Sequence, residues 1–192
     1  MPFDFQHLWA WTEGHGGLIV HDSQAKLGAG HEEAWKLIRG DYRPDEPIVY
    51  EYLMGSKPLD LIATSYPARH LLSDRIVQAL KANNFTGWRT YPVRVFGKDK
   101  QEIPGYHGFS ITGKAGPADW SRSEKFQRQF RARASPYLRG LYFAEETWDR
   151  SDIFIPEGTG YICIVQPVYQ ALLRLRPTNV EFQPLTEILA PA

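Results

Sequence analysis

The chain of 192 residues has one cysteine, Cys163, so no disulfide can form within it. Cys163 lies in Tyr-Ile-Cys-Ile-Val, an apolar run that predicts a buried strand. A free thiol there behaves as a small hydrophobe, not as a nucleophile or metal ligand. Neither sign of charge is in excess: 22 Lys and Arg balance 22 Asp and Glu. This argues against a dedicated nucleic-acid binder, which carries a strongly basic face. No apolar run approaches the roughly 18 residues of a membrane span. The opening Met-Pro-Phe-Asp-Phe-Gln-His has neither a basic segment nor a long apolar one, so a soluble, cytoplasmic protein is expected, with no membrane partner.

Complete catalytic signatures are also missing. His7, His15, His21 and His31 stand near Asp22, Glu32 and Glu33, but at no recognised metal-ligand spacing. His31-Glu-Glu-Ala-Trp35 lacks the second histidine of a metalloprotease helix. Gly14-His15-Gly16-Gly17 reads as a glycine turn. Gly108-Phe-Ser110-Ile-Thr112 lacks the second glycine of a hydrolase elbow. Leu27-Gly28-Ala-Gly30-His31 is followed by no Gly-Lys-Ser/Thr and so is no phosphate loop. No catalytic residue, metal or cofactor is therefore expected. The one isolated candidate is His107 with Tyr106, in Tyr106-His107-Gly108: with a nearby carboxylate it would serve a small-molecule site or an acid–base role, and without one it is a turn histidine.

What the chain does have is aromatic mass, with six Trp, ten Tyr and ten Phe, most of it expected in the core. It also has a repeated passage. Residues 71–93 and 163–185 align without a gap at an offset of 92, sharing Gln78/Gln170, Ala79/Ala171, Leu80/Leu172, Thr86/Thr178 and Pro92/Pro184. In the first, Ser73 is placed to cap a helix with Asp74 in its first turn, and Leu72, Ile76, Ala79 and Leu80 recur at helical steps. Asn83-Asn84 suits its left-handed end. Thr86-Gly87 turns into a strand over 88–96, where Pro92 requires an edge or a bulge. In the second, Pro167 suits a helix start, Val168, Ala171, Leu172 and Leu175 keep helical spacing, Pro177 ends the helix, and 180–185 predicts a strand.

Elsewhere, strands are predicted over 17–21, 48–53 and 59–63, and a helix over 31–39 ending at Gly40. A hairpin is predicted over 97–112 with its return strand at 106–112, and a loop over 113–120. Phe126 and Phe130, four apart, predict a short helix ending at Ala134-Ser-Pro136. The expected fold is a single α+β domain over 1–192, a mixed or mostly antiparallel sheet with packed helices, built around two related strand–helix–strand units. Residues 1–70 form a candidate sub-lobe.

Charge is unevenly distributed along the chain. From Arg122 to Arg139 it carries Arg122, Lys125, Arg128, Arg131, Arg133 and Arg139 against Glu124 alone. From 143 to 157 it carries Glu145, Glu146, Asp149, Asp152 and Glu157 against Arg150. Two solvated faces that neutralise each other are one reading; a docking patch for a charged partner is the other. In the second reading the contacts are Arg122, Lys125, Arg128, Arg131, Arg133, Glu145, Glu146, Asp149 and Asp152. A third use of the arginine run, with Phe126 and Phe130, would be contact with RNA or DNA.

Several strings resemble immunity-like proteins of bacterial polymorphic toxin systems. These are Leu72-Ser73-Asp74-Arg75, Thr86-Gly87-Trp88 with Thr90-Tyr91-Pro92-Val93, and Gly105-Tyr106-His107-Gly108. They continue with Leu141-Tyr142-Phe143, Thr147-Trp148-Asp149 with Ser151-Asp152 and Phe154, and Thr178-Asn179-Val180 with Phe182 and Pro184-Leu185. The resemblance covers roughly residues 71–187. It implies a small cytoplasmic bacterial protein that binds and occludes a cognate protein toxin, with no catalytic residues to carry over. Some relatives have a cysteine beside the central Gly-Pro; Lys114-Ala115-Gly116-Pro117 has none, which argues against a thiolate metal site here.

Overall fold

The computed structural model describes residues 5–10, 16–23, 31–66, 69–130 and 133–192. The first half of the chain supplies β1 (Gln6–Ala10), β2 (Ile19–Asp22), α1 (His31–Ile38), β3 (Ile48–Met54), β4 (Leu61–Thr64), β5 (His70–Ser73), α2 (Asp74–Ala82), β6 (Trp88–Tyr91) and β7 (Val93–Val95). The second supplies β8 (Tyr106–Ile111), β9 (Gly113–Pro117), β10 (Glu124–Phe130), β11 (Arg133–Arg139), β12 (Ile153–Glu157), β13 (Cys163–Ile164), α3 (Gln166–Leu175), β14 (Val180–Pro184) and β15 (Leu189–Pro191). The fold is α+β and mostly sheet. Among the described residues no helix is long and apolar enough to cross a membrane.

The local signals of α2 act as their chemistry requires. Ser73 accepts a hydrogen bond from the Ile76 N–H, and Ile76, Val77 and Leu80 turn inward. The helix closes where Asn84 takes a left-handed φ of 54°. In α3, Pro167 occupies the first turn and no side chain caps the start. The helix ends at Arg176, itself left-handed, one residue before Pro177.

A seven-stranded sheet runs β6-β8-β5-β4-β2-β3-β7, and its two end strands are consecutive in the chain, separated only by Pro92. The sheet therefore nearly closes into a barrel. The single strand expected over 88–96 is two strands, because a residue without an N–H cannot stay in a ladder and here marks the corner. Inside, the Tyr91 ring lies against Gly108, where any Cβ would come within 2.0 Å of Tyr91 Cε2. Leu18, Val20, Leu37, Tyr50, Ile62, Leu71, Tyr91 and Val95 fill this interior.

A five-stranded sheet runs β14-β1-β13-β12-β9. In both sheets a strand leads through a helix to a second, parallel strand, with one antiparallel strand between them. β8 stands between β5 and β6, and β1 between β13 and β14. The registers agree as well. Leu61 faces Leu72 and Ile62 faces Leu71; 92 positions on, Ile153 faces Ile164 and Phe154 faces Cys163. β2 joins β4, and β9 joins β12, in parallel. Residues before 70 are divided between the sheets, β1 in one and β2–β4 in the other.

Helices α2 and α3 pack together between the two sheets. The core there draws on both: Leu61, Leu72, Ile76 and Leu80 from one, Ile153, Ile164, Val168 and Leu172 from the other. A third core, beyond the five-stranded sheet, is aromatic, with Phe5 and Phe143 each edge-on to Phe154 at 5.4 Å and Cys163 buried among them.

Two sequence expectations are corrected. Residues 113–117 are strand β9 and not loop, held in parallel against β12. The helix expected around Phe126 and Phe130 is strand β10, paired along its length with β11. A spacing of four puts two residues on one face of a strand as well as of a helix, so it does not separate the two. Pro136 does not break β11. Its carbonyl accepts the Ala192 N–H, so the side of Pro136 that lacks a donor faces away from β10.

Candidate functional site

The candidate contact residues separate into those the fold consumes and those it displays. Asp149 is consumed: Oδ2 accepts the Lys114 N–H at 2.8 Å, and Oδ1 accepts the N–H and hydroxyl of Ser151. Asp152 is consumed too. Its Oδ2 accepts both the N–H and the hydroxyl of Thr86, at 2.7 and 2.8 Å, and its own N–H returns to Thr86 Oγ1 at 3.1 Å. Glu145 pairs with Arg150 at 3.3 Å, Arg150 lies over the Trp148 ring, and Glu146 is exposed. The acidic span is thus largely internal bracing for the segment before β12.

The basic span is displayed. β11 gains a second neighbour, β15, only over Tyr137–Arg139. Beyond that, β10 and β11 pair with each other alone, as a two-stranded ribbon whose described residues 127–129 and 134 are exposed. Lys125 is exposed on it, and Arg122, in a short 3-10 turn just before it, lies over the Tyr142 ring at 4.8 Å. Arg128 lies over Tyr137 at 5.3 Å, and Arg139 over Phe126 at 4.9 Å. Phe126 and Tyr137 are direct cross-strand partners. Arg131 lies outside the described residues, and Arg133 opens β11 opposite Phe130. Among the described residues no ion pair joins the two charged spans; each side pairs locally, Arg139 with Glu124 at 3.1 Å.

Tyr106 and His107 are adjacent on β8, so their side chains leave opposite faces of the strand and do not converge. Tyr106 donates its hydroxyl to the Leu59 carbonyl at 2.9 Å. Burial first, and the charge of Asp60 second, push its pKa up to about 12. His107 Nε2 stands 2.6 Å from Asp74 Oδ1 with both side chains open to water, 36% and 57% exposed. Asp74, the residue expected to favour the α2 N-terminus, is thus also the carboxylate beside His107. No sequence spacing signalled that, because the two lie 33 positions apart.

Two polar centres had no sequence signal. Arg69 is 7% exposed, reaches Asp22 at 3.1 Å and lies over Tyr66; nearby, the hydroxyls of Tyr50 and Tyr91 meet at 3.2 Å inside the barrel. Burial raises the pKa of both tyrosines and keeps them neutral. The second is Asp60, gripped by Arg75 at 2.6 Å, by Ser73 at 2.8 Å, and by the N–H and hydroxyl of Thr178 at 2.8 and 2.9 Å. These are ties between segments, and each satisfies a charge that burial would otherwise penalise.

Of the four N-terminal histidines, His7 Nδ1 bonds the Ile162 carbonyl and its pKa is lowered to about 4 by lost hydration. His21 lies in β2, His31 opens α1, and His15 is outside the described residues, as are Gly28 and Gly30. Ser110 donates to the Leu37 carbonyl from within β8 and serves as a sheet-to-helix tie. Cys163 is buried, which raises its thiol pKa far above the ordinary range. No protein-family model matches the chain, and no curated protein matches it in sequence.

Proposed function

We propose that the protein is a non-enzymatic binding protein of the immunity type, which neutralises a cognate bacterial toxin in the cytoplasm by covering its active surface. The observation that carries this reading is the β10–β11 ribbon, which pairs with β15 only near its base and carries Lys125, Arg128 and Arg139 among exposed residues. Charge displayed on an exposed element speeds association with a partner of opposite charge and selects among partners. The test is co-expression with the toxin domain encoded beside its gene: growth is restored and the purified pair co-elutes. Toxicity undiminished, with no complex formed, would sink the reading.

We further read the two strand–helix–strand segments as related units. The support is the common offset of 92 in sequence identities, strand register and Asp–Thr ties, together with the same strand order around each. In this reading each unit lends its first strand to the other's sheet, β1 to the five-stranded and β8 to the seven-stranded. The units differ most between the parallel strands: β3 returns to close the barrel in one, and β10–β11 project in the other.

The His107–Asp74 contact supports a second reading, a small-molecule site with acid–base chemistry. Its partners are exposed and Tyr106 points elsewhere. His107→Gln separates the readings: toxin binding by the variant is unchanged under the first, whereas under the second the wild type binds no toxin and the variant loses whatever small molecule the wild type binds.

A further inference from the structure

We infer that the corner where the chain enters β4 and β14 is a binding site for a free α-amino acid with an apolar side chain, its carboxylate on Lys57 and its ammonium on Glu181 and Asn179. The site lies apart from the β10–β11 ribbon and does not depend on the immunity reading.

A cavity of about 380 Å³ opens there, a size that takes small molecules. Its wall is apolar at Leu59, Pro177 and Val180 and charged at Lys57 and Glu181. Among the described residues neither charged side chain forms an ion pair or a hydrogen bond, with the other or with a third group. Opposite charges that share one cavity without meeting suit a ligand that carries both signs. The third polar group is Asn179, 9% exposed. Its side-chain N–H donates to the Leu61 carbonyl at 2.7 Å, which fixes the orientation of the amide, and its Oδ1 is buried with no partner. A buried acceptor left unpaired is costly, and a donor brought by a ligand removes that cost. An ammonium has three N–H groups, enough for Oδ1 and the Glu181 carboxylate together.

The wall is set before any ligand arrives. The Lys57 N–H donates to the Gly16 carbonyl at 3.0 Å, and its own carbonyl accepts the Leu18 N–H at 2.8 Å. Thr178, also in the wall, is tied to Asp60. Little ordering is therefore left for binding to cost. At the offset of 92 the same corner is used differently, with Asp149, Ser151 and Gly87 in the places of Lys57, Leu59 and Asn179. There Asp149 accepts the Ser151 N–H, and the Ser151 Cβ lies 2.7 Å from any Cβ built on Gly87. That carboxylate is tied down and that turn is packed, whereas the charges beside Asn179 are unspent.

The experiment titrates the full-length protein calorimetrically with L-leucine, with L-leucinamide, which lacks the carboxylate, and with N-acetyl-L-leucine, which lacks the ammonium. L-leucine is expected to bind and to raise the unfolding midpoint, with each derivative at least about tenfold weaker. Lys57→Gln is expected to weaken L-leucine about tenfold and leave L-leucinamide within about twofold, since that ligand has no carboxylate to lose. Glu181→Gln is expected to weaken L-leucine likewise and leave N-acetyl-L-leucine within about twofold. Unchanged unfolding midpoints of the unliganded variants verify the fold, and the two derivatives test the site on the wild type alone. No binding of L-leucine up to about 10 mM would overturn the inference. So would derivatives that bind as well as L-leucine, or variants that weaken all three ligands alike.

Discussion

Thr86 and Asp152 hold each other by three hydrogen bonds, and the same three bonds join Thr178 to Asp60. In both pairs the threonine N–H and hydroxyl donate to one carboxylate oxygen, and the aspartate N–H returns to the threonine hydroxyl. Each member of one pair stands 92 positions from its counterpart in the other. The ties cross between the segments: Thr86 follows α2 but bonds the residue before β12, and Thr178 follows α3 but bonds the residue before β4. Each tie thus fastens one sheet to the end of the other's helix.

The two ties predict unequal costs. Asp60 is buried and accepts bonds from Arg75, Ser73 and Thr178, so Asp60→Ala removes more hydrogen bonds at a drier site and is expected to cost about 2–3 kcal/mol, although the half-exposed Arg75 regains water. Asp152→Ala removes hydrogen bonds nearer the surface, for about 1–2 kcal/mol. Urea denaturation of the two variants checks this, and an equal or reversed order would refute it.

Acid is expected to lower the stability of the protein over two successive pH windows. Lost hydration holds His7 and His70 at about 4, opposed in His7 by its bond to Ile162 and reinforced in His70 by neighbouring His7. An unfolded histidine titrates near 6.5, so the unfolded chain takes up protons first, and stability present above about pH 6.5 declines toward pH 4. For Asp60, burial alone would raise the pKa; the bonds from Arg75, Thr178 and Ser73 outweigh it and hold the carboxyl at about 2. An unfolded aspartate titrates near 3.9, so this contribution is present above about pH 4 and lost on the way to pH 2. His70, whose Nδ1 is buried without a partner, gives the cleaner test of the first stage. Urea midpoints measured from pH 7 to 2 should lose part of the upper slope in His70→Gln and part of the lower in Asp60→Asn.

Gly87 and Asn179 occupy corresponding turns with positive φ, 82° and 59°. A Cβ on Gly87 would stand 2.0 Å from the Ile153 carbonyl oxygen, whereas Asn179 donates its side-chain amide to the Leu61 carbonyl at 2.7 Å. Gly87→Ala is therefore expected to cost at least about 2 kcal/mol, from strain and the displaced strand. Asn179→Gly should cost about 1 kcal/mol, one hydrogen bond. Thermal unfolding ranks them.

Cys163 is fully buried and its thiol is held neutral. Reaction with an aromatic disulfide reagent is expected only at the rate of unfolding, rising with urea in step with the loss of circular dichroism. Fast labelling of the native protein would contradict the assigned burial.

Local chemistry was legible where one segment carries the whole instruction. Ser73, Asp74 and the stripe through Ile76 and Leu80 specify α2 unaided, and Pro92 marked a sheet boundary because a missing N–H is a local fact. The 92-residue offset also stood in the sequence, through Gln78/Gln170 and Thr86/Thr178. The candidate site was legible only as charge. Arg128 and Arg139 were visible, but their aromatic supports require the strand register, and the same spacing of Phe126 and Phe130 suits helix and strand alike. Asp149 and Asp152 looked like display residues because nothing near them in sequence reveals Lys114 or Thr86 as donors.

By itself, then, the sequence determined the three helices' signals, the apolar setting of Cys163 and the residues shared between 71–93 and 163–185, all set within a few turns of chain. Only the tertiary structure decided which aspartate each threonine would take, which carboxylates would be spent internally, and which arginines would stand on one face. Those choices depend on partners 66 and 118 positions apart in the two ties, brought together when strands pair and the helices between the sheets pack.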